Sequence, residues 1–533
     1  MFLMFGPYSN FGPAGNIDPW LYTGYFTHFS YLVHHHGITY YATRLPWIVP
    51  GLLAFKVATP LAASLFLNVL IMACSVTALY YIVSWYYGKL PAIISCSLLA
   101  TNPYFIRAVA WDYPDGPAIV YSLAAIAWFV RPSSNRITNG IMAGAFLALS
   151  GYTNLADLPV LVSTLLIPVW IMRRSPRALV REAAYVFIGG SAVTLVLAFI
   201  CKYLLNTFFF YTPQVDMIRY VTTHHEYLSQ MWGTGNAWVP QASRLGPPIF
   251  ILFLGGAALF RVRQRSDAYI SVYLCLLATC GLFAILEFGF HNVGLRVPYH
   301  STYILSPLFA STGLLIGEAA MEGGSSLAFA GAAVIAVALP LWFAQAPKAL
   351  SPSTFWTGMA VAAAIGAALL LAPKRKVFRV AACWLIAGAL FVGPAVDVSV
   401  SYVWSSSNLS VFRAMMDMEA LIDPALKPAR NIKFWYDRNE PETNLFTSVH
   451  SLYLYGYYDY SNSLTTAPFQ DLNIDTDTTI VHLTRDIGKV PGRTALLASR
   501  GIETRTDHEW VVSTEKGPVH VVMQEVTSVS SAH

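Results

Sequence analysis

Three carboxylates stand in an otherwise apolar sequence, where charge is expensive. Asp18 lies in Asn16-Ile17-Asp18-Pro19-Trp20. Asp112 and Asp115 lie in Trp111-Asp112-Tyr113-Pro114-Asp115-Gly116-Pro117. Acidic groups beside hydrocarbon need a partner or a task. A carboxylate in an aromatic, partly desolvated pocket has a raised pKa and can take a proton from a hydroxyl. Two neighbouring carboxylates also suit a hard cation, Mg²⁺ or Mn²⁺, with other oxygens completing the shell. A plainer reading stands beside these. Asp-Gly-Pro before an apolar run is a good helix start, so Asp115 is equally an N-cap. Asp157, in Asn154-Leu155-Ala156-Asp157-Leu158-Pro159, reads as such a cap. Histidines supply the other polar groups: His34, His35 and His36; His224 and His225 beside Glu226; His291 and His300 around Arg296. His-His-Glu lacks the i, i+4 pair of a zinc-binding helix, so solvated or interfacial runs are the first reading of these clusters.

The elements that must position these groups follow from composition. The chain has 533 residues, 56% of them hydrophobic and only 11% charged, with a mean hydropathy of +0.51. Soluble domains carry roughly 25% charged residues. This is the composition of a polytopic α-helical membrane protein with a polar tail. A net charge of +5 is too small to argue for a nucleic-acid partner. Apolar runs long enough to span fall near residues 61–87, 90–110, 116–130, 137–152, 158–172, 183–205, 247–260, 268–290, 302–316, 326–343, 354–371 and 377–396, about twelve in all. Residues 44–60 are apolar but broken by proline, which predicts a helix at the interface or a lead-in to the first span.

Lys and Arg set the orientation. Lys89, then Arg131 and Arg136, then Arg173, Arg174, Arg177 and Arg181, then Arg261, Arg263 and Arg265, then Lys374, Arg375, Lys376 and Arg379 mark one set of short loops as cytoplasmic. The opposite loops are long, aromatic and poor in positive charge. They comprise the N-terminal segment, residues 111–115, 206–246 and 291–300, and the tail after residue 398. An outer N-terminus without a preceding span predicts a first helix upstream of Met1. The division is a multi-span part, 1–400, and an extracytoplasmic soluble α/β domain, 401–533. In the latter, β-rich runs at 431–435, 478–483, 510–513 and 519–524 alternate with possible helices at 446–458 and 494–500. A strand-rich cap is the alternative. The six cysteines, Cys74, Cys96, Cys201, Cys275, Cys280 and Cys383, all fall in the apolar spans. That excludes a disulfide framework in the exported part.

The order of the polar motifs resembles the GT-C membrane glycosyltransferases, among them protein O-mannosyltransferases, the lipid A aminoarabinose transferase and oligosaccharyltransferases. The first element is Asp18-Pro19-Trp20-Leu21-Tyr22, followed by Gly37, Tyr41 and Arg44-Leu45-Pro46-Trp47. The second is the acidic pair Asp112 and Asp115. The third is Arg296-Val297-Pro298-Tyr299-His300, leading to Tyr303 and Pro307. The tail lacks the Trp-Trp-Asp-Tyr-Gly motif of oligosaccharyltransferases, and Trp435-Tyr436-Asp437 does not replace it, so the resemblance favours the branches that transfer single sugars.

That resemblance implies about thirteen spans with an outer C-terminal domain, in a bacterial inner or plasma membrane. It implies transfer of a sugar, with inversion, from a polyprenyl-phosphate donor to an extracytoplasmic lipid, glycan or protein. Asp18 would be the base. Asp112 and Asp115 would hold a divalent cation or orient the acceptor. Arg44 and Arg296 would meet the phosphate, with Arg219, Tyr299 and His300 beside them, and Arg107 a further cation near a span end. His224, His225 and Glu226 would touch phosphate or acceptor from the long loop 206–246, a lid over the bound lipid. The structural alternative for each arginine is snorkelling to the headgroups. A transporter or flippase is the competing function, but its charges belong at the bilayer midplane on repeated, broken helices, and no repeat is evident.

Overall fold

Proline and glycine set the boundaries of the helices. The structure, a computed structural model, describes residues 17–101, 103–109, 112–132, 135–155, 158–173, 175–223, 275, 278–279, 281–282, 303, 402–426, 431–437, 439–453 and 474–530. The N-terminal segment has no clean apolar period, yet Ile17–His36 forms helix α1, with a break in helical geometry at His28. Helix α2 (Leu45–Val57) is the helix expected between residues 44 and 60. Helix α3 (Pro60–Tyr87) opens on a proline and closes at Gly88, whose φ of 86° suits glycine. The run 90–110 holds two helices. It divides into α4 (Lys89–Thr101) and α5 (Pro103–Val109), because Pro103 begins a helix far more easily than it continues one. Helices α6 (Asp115–Val130), α7 (Arg136–Thr153), α8 (Leu158–Arg173), α9 (Pro176–Leu205) and α10 (Thr212–Thr223) follow. The six proposed spans beyond residue 246 lie outside the described residues, apart from single positions such as Cys275 and Tyr303.

Among the described residues, α3 and α9 are long and apolar enough to cross a membrane. Both carry bare apolar flanks: Phe66 and Leu70 on α3, Phe187, Leu195, Val196 and Phe199 on α9. A helix facing water turns polar residues outward, so these flanks fit a hydrocarbon surround. Helices α7 and α9 touch backbone to backbone. A Cβ on Gly144 would stand 1.9 Å from the Val186 carbonyl oxygen, the close approach that small residues permit between membrane helices. Cys74, Cys96, Cys201 and Cys275 are free thiols, while Cys280 and Cys383 lie outside the described residues.

The tail is α/β. Helix α11 (Tyr402–Ala425) leads to β1 (Asn431–Trp435), α12 (Thr443–Tyr453), β2 (Thr478–Thr484), α13 (Lys489–Ala498), β3 (Ile502–Thr514) and β4 (Gly517–Val529). The sheet order is β1-β2-β4-β3. Strands β1 and β2 are parallel, and the other pairs are antiparallel. The interior strand β2 is buried at every position, as suits its apolar and β-branched run, and His482 within it is bonded to Gln524. One sheet face packs Phe434, Val481, Leu483, Val521 and Met523 against α11 and α12. The other packs Ile480 and Val526 against Leu497 of α13.

Helix α1 belongs to both parts of the molecule. Tyr22, Tyr25, Phe26 and Phe29 enter the core of the multi-span part, and Trp20 enters the core of the tail. Gly24 allows the contact: a Cβ there would lie 2.6 Å from the Leu452 carbonyl oxygen on α12. Gly24→Val is therefore expected to destabilise this junction by about 1–3 kcal/mol, the usual range for overpacking. The readout is a lowered melting temperature with faster protease release of residues 401–533. An unchanged melt and digestion pattern would show that the helices do not meet this closely.

Candidate functional site

The site is built from five pieces of chain that are distant in sequence. Asp18 sits in the first turn of α1, outside the spans, where a carboxylate also favours the helix N-terminus. Tyr41, in the turn that follows α1, donates its hydroxyl to Asp18 Oδ1 at 2.8 Å. Burial pushes the Asp18 carboxyl above its ordinary pKa. The Tyr41 bond, the nearby Arg44 charge and a hydrogen bond from Tyr113 oppose that shift without cancelling it.

Arg44 closes the same turn. Its Nη1 donates to Tyr22 Oη at 2.6 Å. Its guanidinium carbon lies 5.1 Å from the Tyr40 ring centroid and 5.8 Å from that of Tyr22, within cation–π range. Its Nε is buried and makes no hydrogen bond among the described residues. No carboxylate among those residues forms an ion pair with it. Tyr22 is the hub of the aromatic wall, meeting Tyr41 at 5.3 Å and Tyr113 at 5.9 Å, both edge to face.

Asp112 and Asp115 are almost fully enclosed, at 3% and 2% exposure. Thr23 of α1 donates to Asp112 Oδ2 at 2.9 Å, and Ser64 in the first turns of α3 donates to the same oxygen at 2.8 Å. Asp112 Oδ1 is buried with no hydrogen bond among the described residues. Burial pushes the Asp112 carboxyl up to about 6, against the lowering effect of those two hydroxyls. Asp115 is the first residue of α6 but not its cap. Pro114 holds the N-cap position, and no side chain caps the helix. The Asp115 Oδ1 instead accepts from the Tyr303 hydroxyl at 3.0 Å, across 188 residues of sequence. The N-cap reading of Asp115 therefore gives way to a tertiary contact. Among the described residues, no third His, Cys, Asp or Glu joins Asp112 and Asp115 closely enough to share an ion.

The structure thus brings together Asp18, Arg44, Asp112 and Asp115. Arg219 lies exposed on α10. The start of that helix is fastened to the site by Gln214, whose Nε2 donates to the carbonyls of Thr43 at 3.1 Å and Tyr152 at 3.2 Å. Arg296, Tyr299, His300, His224, His225, Glu226, His291 and Asp157, the Arg107 side chain, and the rest of the 206–246 loop lie outside the described residues. His34 is exposed at the end of α1, and the ring of His35 folds back onto the Tyr31 carbonyl at 3.0 Å. His34 matches the solvated reading, whereas His35 is half-buried. Sequence reasoning placed Tyr22 in the first motif without giving it a role, and missed Thr23 and Ser64. The signals available were the Asp18–Tyr22 spacing of one helical turn and a lone serine at the head of an apolar span, where a hydroxyl seeks a partner.

No protein-family model matches the chain, and no curated protein matches it. Three solved structures are similar in course. ArnT from Cupriavidus metallidurans in the apo state has a TM-score of 0.48 at 12% identity, over 98% of this chain and 95% of that one. The same protein bound to undecaprenyl phosphate has a TM-score of 0.44 at 12% identity, over the same shares. The Archaeoglobus fulgidus oligosaccharyltransferase in the apo form has a TM-score of 0.46 at 13% identity, over 83% of this chain and 60% of that one.

Asp112 makes stability depend on pH. Its folded-state pKa of about 6 stands above the ordinary 3.8. Its contribution is therefore full below pH 3.8 and is lost as pH rises through about 6. The loss is of order 2–3 kcal/mol at one pKa unit per 1.36 kcal/mol. Asp112→Asn should flatten the fall in melting temperature between pH 4 and pH 7, measured in detergent. An identical slope in both proteins would remove Asp112 as its source.

Proposed function

We propose that this protein is a membrane glycosyltransferase. It moves a sugar from a polyprenyl-phosphate donor to an acceptor on the extracytoplasmic side. The supporting observation is that Thr23, Tyr22 and Tyr113 join Asp18 in the first turn of α1 and Arg44 at the start of α2 to Asp112 and Asp115 at the N-terminal ends of α3 and α6. These helices are apolar. A lipid-linked phosphate lies at headgroup depth, where such helix ends lie. The positive ends of two helix dipoles and a guanidinium favour an anion there.

In this reading Asp18 is the base. It takes the proton of the acceptor hydroxyl as that oxygen bonds to the anomeric carbon. The bond from that carbon to the phosphate oxygen breaks, and polyprenyl phosphate leaves with the charge. One displacement of this kind inverts the anomeric centre. The raised pKa of Asp18 suits a base working near neutral pH. Arg44 meets the charge that grows on the phosphate, with Arg296, Arg219, Tyr299 and His300 assigned to the same group. Asp112 and Asp115 orient the acceptor. A Mg²⁺ or Mn²⁺ at these two carboxylates would neutralise phosphate charge. His224, His225 and Glu226 belong to the loop that covers donor and acceptor. The tail, on the outer side, faces the acceptor.

The test is turnover by the purified protein in lipid nanodiscs, offered polyprenyl-phosphate sugars and envelope lipids or glycans, with products read by mass spectrometry. Asp18→Asn keeps an acceptor oxygen for the Tyr41 hydroxyl, so the fold should survive. Turnover should fall by at least about 100-fold, the lower end of general-base contributions. Arg44→Gln should weaken donor binding more than it slows the bound complex. Undiminished turnover in Asp18→Asn would remove the assigned base. Movement of the lipid across the bilayer with no sugar transfer from any donor would favour the transporter.

A further inference from the structure

We propose a zinc site at the seam between α1 and the tail, formed by His28, Glu419 and Asp423. It is separate from the carboxylates of the candidate active site, and it does not rest on the glycosyltransferase reading.

Four observations carry it. Glu419 and Asp423 are one helical turn apart on α11, so their carboxylates project from one face. That face meets α1 where its backbone leaves helical geometry, at His28 with φ −120° and ψ 35°. There the imidazole sits between the carboxylates, Nε2 at 3.1 Å from Glu419 Oε1 and Nδ1 at 3.4 Å from Asp423 Oδ1. One ligand atom from each residue lies within 4.8 Å of the others. One zinc takes one ring nitrogen, so the carboxylate facing the other nitrogen must turn toward it; bound at about 2.0–2.2 Å from each, the ion needs the three ligand atoms roughly 3.3–3.5 Å apart.

Two polar atoms at the seam have no hydrogen-bond partner among the described residues. The His28 side chain is 9% exposed, and its Nε2 makes no hydrogen bond among the described residues despite the close carboxylate. Tyr453 of α12 stacks on the His28 ring, with centroids 4.7 Å apart. It is 1% exposed, and its hydroxyl has no hydrogen-bond partner among the described residues. That hydroxyl lies close enough to Glu419 and Asp423 to feel both charges. A bound ion with a water in the fourth position would supply what these atoms lack.

The donor set selects the metal. One imidazole with two carboxylates is borderline in softness, which suits zinc over Mg²⁺ or Ca²⁺, whose shells are all oxygen. Two negative carboxylates and one Zn²⁺ also balance in charge. With metal, α1 and α11 are pinned at a point ten residues along α1 from Asp18. The site would be structural, fixing the tail against the helix that carries the candidate base.

The experiment measures zinc in the full-length protein in detergent. It combines elemental analysis after dialysis, competition against a chromophoric chelator, and zinc X-ray absorption. The expected result is about one zinc per chain, held by nitrogen and oxygen with a single imidazole, and a melting temperature that rises with zinc but not with Mg²⁺. Glu419→Gln and His28→Gln should weaken zinc binding by at least about tenfold. Asp423 is 52% exposed, so Asp423→Asn serves as the variant whose fold is safe, and it should lose the zinc-dependent rise. No zinc in the wild type, leaving a plain ion-pair latch, would overturn the proposal. So would equal zinc affinity in the wild type and Asp423→Asn.

Discussion

One carboxylate oxygen holds the site together. Asp112 Oδ2 accepts from Thr23 on α1 and from Ser64 on α3, and Asp112 itself stands in the turn that starts α6. Three elements separated by up to 89 residues are thereby fixed to one point. A buried carboxylate without donors would be costly, so each hydroxyl stabilises the enclosed position as well as the junction. Asp18 is one turn from Thr23 on the same helix. Its position relative to Asp112 and Asp115 therefore depends on this junction.

Helix α1 carries the second constraint. It is packed on both sides, by the multi-span core through Tyr22, Tyr25 and Phe26 and by the tail through Trp20 and the Gly24–Leu452 approach. A helix held from two directions has little freedom to tilt, so the carboxylate it carries at its start is held in place. The tail's α/β core buttresses α1 from behind.

Much of this was legible in the sequence. The starts and ends of α3, α6, α7 and α8 fall within about a residue or two of the hydropathy runs, because a span must be apolar along its length and prolines and glycines mark its ends. The tail's four strands overlap the β-rich runs, since β2 is buried throughout and β4 along its middle. The pairing of Asp18 with Tyr41 and Arg44 was visible as a motif. Other features were not. The division of 90–110 at Pro103 was hidden by uniform apolarity. The Tyr303–Asp115 bond spans 188 residues, and no local pattern encodes a contact of that range. His28 passed unnoticed beside the conspicuous His34–His36 run, and Glu419 and Asp423 lie on α11, a helix the sequence pattern did not reveal.

The sequence alone determined the solvent of each segment. Charge scarcity, the sidedness of Lys and Arg, and the apolar runs reflect transfer free energies, which each residue carries wherever it sits. It also determined which outward acids needed explaining. Only the tertiary structure decided which of them meet. It put Asp18, Arg44, Asp112 and Asp115 together, turned Asp115 from cap to tyrosine partner, and set His28 between two carboxylates of the tail. The physical reason is range. Solvent preference is local and additive along a chain, whereas a hydrogen bond at 2.8 Å depends on how distant backbones pack, and that is fixed only when the whole fold closes.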